Sequence, residues 1–378
     1  MEAAMQNNER IFYVGTYTEP ILFGTGQVLQ GKGEGIYAFA LNSRNSSCAF
    51  LGVSHNIVNP SYLALEKTGK AMYVVNELKT YQGLQTGTVS AYRIGAHPWE
   101  LQLLNVQITN GTDPCHISLD RTGKFVAVAN FASGSVAVYP ILADGKLGEP
   151  VGFSQHTGSS VHLKRQAGPH AHAIVFDPSN RYLLVPDLGL DKIIVYEFNE
   201  NTGSIALETT KAVHVAAGSG PRYLEYHPSG KFVYLINELS STINVFAIDC
   251  QNCLFQEIQT ISTLPENYTG SSTCADLHIH PSGKFLYASN RGHDSLALFD
   301  IDNENGYLSW KGCIPTKGKT PRNFAIDPEG KYLLVANQDT DNIVAFSIDS
   351  TNGLLAEIGI EIPVPTPVCI QFAPIVST

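Results

Sequence analysis

One stretch of alternating apolar and polar residues, GPRYLEYHPSGKFVYLINELSSTINVFAI from Gly220 to Ile248, sets the pattern for most of the chain. Its period of two predicts a strand over Tyr223 to Tyr226, a Pro-Ser-Gly turn, a second strand over Phe232 to Asn237 and a third over Ile243 to Ile248. This order of elements is typical of a three-stranded antiparallel meander.

The meander recurs along the chain, with a Gly or an Asn at each first turn. The six turn residues, at intervals of 47 to 57 residues, are Gly69, Gly123, Asn180, Gly230, Gly283 and Gly330. A fourth apolar segment follows each meander, as at Leu254 to Ile261 and Leu354 to Ile362. Four strands in about 50 residues are typical of one blade of a β-propeller.

The two ends of the chain supply the remaining strands. The tail, Thr366 to Phe372, is a lone first strand, and the head offers strands at Ile11 to Thr18, Gly35 to Leu41 and Cys48 to Val53. Pairing them would leave no free sheet edge and would hold both ends in place. We therefore predict an all-β, seven-bladed β-propeller with four-stranded antiparallel blades and one composite blade, formed by residues 1–378 as a single domain.

The composition and net charge of the chain limit the kinds of binding partner that we expect. No apolar run reaches 18 residues, and the net charge is -10, so neither a membrane nor a nucleic acid is expected as a partner. The first ten residues, MEAAMQNNER, lack a basic region followed by an apolar one, so we expect no secretory signal. The chain has seven cysteines, which is an odd number, and they are scattered along the sequence. This does not suggest a disulfide framework. These features favour a cytoplasmic protein.

Positions that recur across most of the repeats indicate the scaffold. One is the residue seven after the turn Gly, which we expect to bond its own loop backbone: Asn76, Asn130, Asn237, Asn290 and Asn337, with Asp187 in the third repeat. The other is the residue three before that Gly, which we interpret as turn chemistry: Asp120, Asp177, His227, His280 and Asp327.

Positions that differ between repeats indicate where function can be encoded. Folding the first two strands back on each other should place the residue eight before the turn opposite the residue eight after it, and these pairs should ring one mouth of the central channel. The predicted mouth residues are Ser61 with Glu77, Cys115 with Phe131, His172 with Leu188, Arg222 with Glu238, Ala275 with Arg291, Arg322 with Gln338, and Val368 and Tyr17 from the composite blade.

The mouth residues are rich in charge. The chain has nine Arg, so chance would place about a third of one among these positions, yet three are there. Arg222 and Glu238 alone could be a cross-strand ion pair. Three Arg, two Glu and one His together favour a binding site for an anionic small molecule.

Other motifs carry weaker signals. Cys250 and Cys253 have metal-binding or redox spacing but lie in a predicted turn without a second pair. His170 and His172 could offer two metal ligands, but no carboxylate lies near them in sequence. The glycine-rich run from Gly24 to Gly35 lacks the strand and helix of a phosphate loop, which favours a long surface loop. No Gly-x-Ser-x-Gly sequence occurs.

Several segments resemble the seven-bladed propeller lactonases, the family of bacterial 6-phosphogluconolactonase and fungal carboxymuconate cycloisomerase. They are FYVGTYT with GIYAF, PHAHAIVFDP, GPRYLEYHPSGKFVYLINE, SNRGHDS and TPRNFAIDPEG. The resemblance covers nearly the whole chain. It implies a catalytic set of His172, Arg222, Glu238 and Arg291, and a cytoplasmic enzyme without metal or other cofactor. To the substrate-binding residues we assign His170, Arg322, Gln338, Glu77 and Asn323.

The resemblance implies hydrolysis of a sugar δ-lactone, above all 6-phosphogluconolactone in the pentose phosphate pathway. Glu238 or His172 would be the base, one Arg would face the oxyanion, and Arg291 or Arg322 the phosphate. The alternatives are a carboxymuconate-type lactonising cycloisomerase and a non-catalytic propeller that binds proteins. The chain lacks the Trp-Asp dipeptide of many scaffold propellers. We expect a monomer or a weak homodimer.

Overall fold

The predicted strands form seven antiparallel sheets arranged as the blades of a propeller, which confirms the predicted fold class. The structure is a computed structural model and describes residues 9–42 and 46–375. Part of the N-terminal stretch considered for a secretory signal, residues 1–8, lies outside the described residues. Within the described ranges, no helix is long and apolar enough to cross a membrane.

The strands are given from the innermost to the outermost of each blade. Blade 1 contains Pro60–Leu65, Ala71–Asn76, Thr88–Ile94 and Leu101–Ile108; blade 2 contains Pro114–Leu119, Phe125–Asn130, Ser135–Pro140 and Gly152–Gln155; and blade 3 contains Val175–Phe176, Tyr182–Asp187, Lys192–Phe198 and Ile205–Leu207, with Val213–His214 also beside its third strand. Blade 4 contains Pro221–Tyr226, Phe232–Asn237, Thr242–Asp249 and Leu254–Ser262; blade 5 contains Thr273–Ile279, Phe285–Arg291, Ser295–Ile301 and Leu308–Pro315; and blade 6 contains Pro321–Ile326, Tyr332–Asn337, Asn342–Ile348 and Leu355–Pro363. Blade 7 contains Pro367–Phe372, Glu9–Thr16, Gly35–Asn42 and Ser47–His55.

Two short elements lie outside this plan. A hairpin of Ile21–Leu22 and Val28–Leu29 follows the second strand of blade 7, and a 3₁₀-helix spans Thr209–Lys211. The hairpin includes part of the glycine-rich run that we interpreted as a surface loop.

Blade 7 closes the ring as predicted. Its inner strand comes from the C-terminal region and pairs antiparallel with the N-terminal strand, with Phe372 opposite Phe12 and Ile370 opposite Val14. The hydrophobic core is divided among the spaces between neighbouring blades. Between blades 2 and 3, for example, Phe125, Phe176 and Phe198 pack against one another.

The turns between the first two strands have the expected chemistry. All six turn residues have a positive φ, between 59° at Asn180 and 74° at Gly283. Asp120 accepts hydrogen bonds from the backbone N–H groups of Lys124 and Phe125 at 2.7 and 2.9 Å, which fixes its turn. His227 instead donates from Nε2 to the carbonyl of Gly283 in the next blade, at 2.9 Å.

The recurring Asn has a structural role, but its predicted partner was wrong. We expected it to bond its own loop. Instead, its Nδ2 donates to the linker that arrives from the preceding blade in four of the five cases. These bonds join Asn76 to Val58, Asn130 to Thr109, Asn290 to Thr263 and Asn337 to Thr316. The Asn therefore connects consecutive blades, because a buried carbonyl at each linker requires a donor.

Candidate active site

A cavity of about 790 Å³ opens at one mouth of the channel, and a small cavity of about 20 Å³ lies deeper. Glu77, Cys115, His172 and Arg322 line both. Most of the predicted mouth residues line one or the other, whereas Leu188, Ala275 and Tyr17 line neither. The structure therefore brings together most of the charged residues that the differences between repeats singled out.

The predicted pairing of these residues was wrong in register, because the inner strands carry β-bulges. The register shifts at Ser61, Cys115, Arg222, Arg322 and Val368, so each is the extra residue of its strand. A bulge breaks the alternation of side chains and re-aims the extra residue, and such bulges occur next to active sites.

Blade 5 departs further from the predicted register. Ala275 and Asp276 together fall within its shift, and Arg291 pairs with Thr273 instead of Ala275. The side chain of Arg291 still reaches the cavity.

Glu238 is the centre of the site. Its side chain is 4% exposed. Its Oε1 accepts a hydrogen bond from Nη2 of Arg165. Its Oε2 lies 3.2 Å from Nε of Arg222, 2.9 Å from Nη2 of Arg291 and 3.8 Å from Nε2 of His172. Burial alone would raise the pKa of Glu238, but Arg291, Arg165 and Arg222 hold it well below its usual range. This carboxylate therefore stays ionised.

His172 is neutral at physiological pH. Burial, together with the nearby Arg222 cation, lowers the pKa of His172 well below its usual value. Its Nδ1 lies 3.8 Å from Sγ of Cys115, and burial raises the pKa of that thiol, so Cys115 also stays uncharged. The neutral imidazole leaves Nε2 or Nδ1 able to accept a proton.

Arg322 is the least engaged of the cations. Within the described residues it makes no hydrogen bond and no ion pair, and its guanidinium lies 5.4 Å from the ring centres of both Tyr17 and Phe23. Tyr17 donates to Oε2 of Glu77 at 2.9 Å. Burial raises the pKa of Glu77, against the effect of Arg322. A cation with unpaired N–H groups at the cavity wall suits an anionic ligand.

Three other predicted substrate-binding residues differ in how they reach the cavity. Gln338 lines it, and its Oε1 is buried without a hydrogen bond. His170 does not line it: its ring stacks on Phe131 with 4.6 Å between ring centres and bonds the Phe131 carbonyl. Asn323 lines only the deeper cavity, where its amide bonds Asp276 and the backbone N–H of Ile370. His170 and Asn323 therefore do not line the main cavity and support it indirectly, through their contacts with neighbouring residues.

Two features of the site were missed in the sequence. Arg165 belongs to no repeat and comes from the linker between blades 2 and 3. The hairpin after blade 7's second strand contributes Leu22, Phe23 and Val28 to the cavity lining. The glycine-rich run lies at the surface as predicted, but its position beside the cavity was not predicted. Both lie in insertions relative to the repeat, and insertion length was the available signal.

The weaker metal and redox candidates gain no support. Within the described residues, no three His, Cys, Asp or Glu side chains are grouped to hold a metal ion. Cys250 and Cys253 are free, and Cys250 Sγ contacts the Gly230 carbonyl at 2.7 Å.

Comparison with known proteins places this geometry in a family. A curated 6-phosphogluconolactonase of Bacillus subtilis is 34% identical over 362 residues, which is 96% of this chain and 98% of that protein. A second, from Formosa agariphila, is 37% identical over 83% of this chain and 85% of that protein. The solved structure of a periplasmic gluconolactonase from Pseudomonas aeruginosa has a TM-score of 0.88 and 33% identity, covering 97% of this chain and 100% of that one. The family model for seven-bladed β-propeller lactonases matches residues 11–372, and this chain belongs to that family.

Proposed function

We propose that this protein hydrolyses a sugar δ-lactone and that 6-phosphogluconolactone, an intermediate of the pentose phosphate pathway, is its substrate. The observation that carries the proposal is the cluster at Glu238, where three Arg cations surround one carboxylate beside a neutral His. The names of the two curated relatives and of the gluconolactonase structure support the same reaction class.

His172 serves as the general base in this proposal. A water molecule near Nε2 gives its proton to the imidazole while its oxygen attacks the lactone carbonyl carbon. Glu238, 3.8 Å away, stabilises the imidazolium that forms. Glu238 itself is a poor base, because its lowered pKa reflects a carboxylate held by three cations. The bond from the carbonyl carbon to the ring oxygen then breaks, the ring oxygen takes the proton, and a hydroxy acid leaves.

In this proposal, different cations bind the different negatively charged groups of the substrate. Arg222 and Arg291 lie beside Glu238 and therefore near the attacked carbonyl, where the oxyanion develops. Arg322, with its unpaired guanidinium, holds the phosphate at the other end of the lactone. Glu77 attracts Arg322 electrostatically, and Gln338 forms part of the cavity wall that the sugar would contact.

The wider setting is also part of the proposal. Residues 1–378 act as one domain, without metal or other cofactor and without a membrane or nucleic-acid partner, as a monomer or weak homodimer. The free thiols favour the cytoplasm. The Pseudomonas neighbour is described as periplasmic, so fractionation of the native host should test this location directly.

The test is a lactonase assay on purified protein, with spontaneous hydrolysis subtracted. We expect the wild type to open 6-phosphogluconolactone, and His172→Ala and Glu238→Gln to lower kcat by about 10²-fold or more. Arg322→Ala should raise KM for this substrate more than for the lactone without phosphate. Near-normal turnover in both His172→Ala and Glu238→Gln would contradict the proposed base. Turnover of a carboxymuconate without lactone hydrolysis would establish the cycloisomerase instead.

A further inference from the structure

We propose that Arg165 is a further catalytic residue, whose guanidinium stabilises the oxyanion of the lactone transition state alongside Arg291. This inference rests on the proposed lactone hydrolysis and goes beyond the His, Arg and Glu residues that the sequence indicated.

Arg165 lies in the longest linker between consecutive blades. The outer strand of blade 2 ends at Gln155, and the chain rejoins a sheet at Ala171, which pairs with Asp187, so residues 156–170 form a linker of fifteen residues. The corresponding linkers elsewhere run from three residues, 364–366, to ten, 263–272. Insertions in repeat proteins often build the binding face.

The linker holds Arg165 in a defined place. The next residue, Gln166, is fully buried, and its side chain donates to the Leu188 carbonyl at 2.8 Å and accepts from the backbone N–H of His162 at 3.0 Å. The backbone N–H of Arg165 donates to Nδ1 of His162 at 3.2 Å. The guanidinium is thus presented to the cavity by a folded segment.

Arg165 and Arg291 both line the cavity, and both bind Glu238 through Nη2. The Nε atom of each is buried and has no hydrogen-bond partner among the described residues, so neither guanidinium is fully paired. Leaving a buried donor unpaired is costly, and a charged one more so. Cations that are incompletely paired in the free enzyme are suited to stabilising negative charge that appears only in the transition state.

The position of Arg165 favours the oxyanion over the phosphate. Arg165 binds Oε1 of Glu238, while His172, the proposed base, approaches Oε2 of the same carboxylate. Arg165 and the proposed base therefore contact the two oxygens of one carboxylate, which places Arg165 on the side of the reacting centre. Arg322 has no such contact with Glu238 within the described residues and suits the distal phosphate.

The test compares Arg165→Gln with Arg93→Gln, which removes an exposed Arg that bonds only the Asp144 carbonyl among the described residues. We expect Arg165→Gln to lower kcat by about 10²- to 10³-fold, as for loss of one oxyanion donor, with KM changed little. The loss should be equal for lactones with and without phosphate. Arg93→Gln should match the wild type, and thermal unfolding should show that both variants are folded.

Three results would overturn the inference. A rise in KM confined to the phosphorylated lactone would make Arg165 a phosphate ligand. An unchanged kcat would remove it from catalysis. A loss of kcat that is recovered by changing the pH would show that it acts only through the ionisation of His172 or Glu238.

Ligand binding gives a second measurement that does not require turnover. The product 6-phosphogluconate carries a carboxylate where the oxyanion forms, whereas glucitol 6-phosphate has the phosphate alone. Arg165→Gln should weaken the binding of the first, by calorimetry, at least tenfold more than that of the second. Equal weakening would contradict the inference. If the wild type bound neither compound and opened no lactone, the proposed function would fail together with it.

Discussion

The pKa of Arg222 reflects its burial and the electrostatic repulsion among the cations around Glu238. Burial, followed by the like charge of Arg291, lowers the pKa of Arg222 to about 10. Arg165, Arg222 and Arg291 bring three positive charges to one carboxylate, so the cluster has excess positive charge before any ligand arrives. An anionic lactone, and still more its tetrahedral oxyanion, would relieve this repulsion. Binding energy is thereby reserved for the charge that develops during the reaction.

The pH dependence of the rate should identify the base. His172 must be neutral to accept a proton, and its pKa is lowered well below the usual value. We expect kcat/KM to stay level as the pH falls through about 6.5, where an ordinary His is half protonated, and to decline only at lower pH. The measurement is a pH profile of the wild type, corrected for spontaneous hydrolysis at each pH.

The Glu238→Gln variant supplies the control for this profile. Glu238 raises the pKa of His172, so its removal should move the acid limb to still lower pH while kcat falls. If Glu238 were the base, the acid limb would instead disappear in the variant. A wild-type limb centred at or above pH 6.5 would contradict a buried, neutral His172.

The sequence was sufficient to predict that most of the charged residues of the candidate site lie together at the cavity, but it did not indicate Arg165. His172, Arg222, Glu238 and Arg291 differ from their counterparts in other repeats, and a single chain contains that comparison. Arg165 has no counterpart in the repeats, and its contact with Glu238 depends on how a fifteen-residue linker folds. The hydrophobic period and the secondary-structure propensities of a linker do not specify the path of its backbone.

At the scale of the elements, the strands were predictable because their buried faces impose the pattern of side chains. The bulges were not, because an extra residue such as Arg222 or Arg322 alters the register without altering composition. The predicted residues still met at the cavity, since the bulge redirects the side chain at the same end of the hairpin. The predicted strand register was therefore wrong at the bulges, which are the positions of several site residues.

The first turn of each blade is a second type of element with a testable role. Asp120 accepts from the backbone N–H groups of Thr122, Lys124 and Phe125, and it also accepts from Nδ2 of Asn180 in the next blade at 3.0 Å. Burial would raise the pKa of Asp120, but its hydrogen bonds lower it. The carboxylate thus both shapes its own turn and joins two blades.

We expect Asp120→Ala to lower the free energy of unfolding by about 1.5–3 kcal/mol, the usual range for hydrogen bonds to a charged group. Because the folded-state pKa is lowered, this contribution is present above the unfolded pKa and is lost as the pH falls through the folded one. Denaturant unfolding at neutral and acidic pH measures both effects. The exposed turn variant Asp144→Ala is the control and should keep the wild-type midpoint. Equal midpoints for the two variants would contradict this role.

At the scale of the whole molecule, the ring depends on blade 7. The C-terminal strand is its innermost element, and Val368, Cys369 and Ile370 are each at most 3% exposed. Ile370 packs with blade 6 residues such as Leu334, and Cys369 packs with blade 1 residues such as Leu63. The strand therefore completes the sheet of its own blade and the cores on both sides of it.

Deleting residues 367–378 should unfold or aggregate the protein. Each fully buried apolar side chain contributes about 1.5–3 kcal/mol, so several lost together approach the 5–15 kcal/mol total of a typical domain. The deletion also exposes the inner edge of the strand Glu9–Thr16, which invites pairing between molecules. Thermal unfolding and size-exclusion chromatography of the truncated chain are the measurements.

A shorter deletion and a peptide make this test specific. Removing only residues 376–378 leaves every described strand in place and should not change the melting temperature. A synthetic peptide of residues 366–378, added during refolding of the long deletion, should restore soluble protein, because the strand makes its hydrogen bonds and core contacts without needing the covalent link. A long deletion that melts at the wild-type temperature would show that the ring is held closed by the six other blades alone.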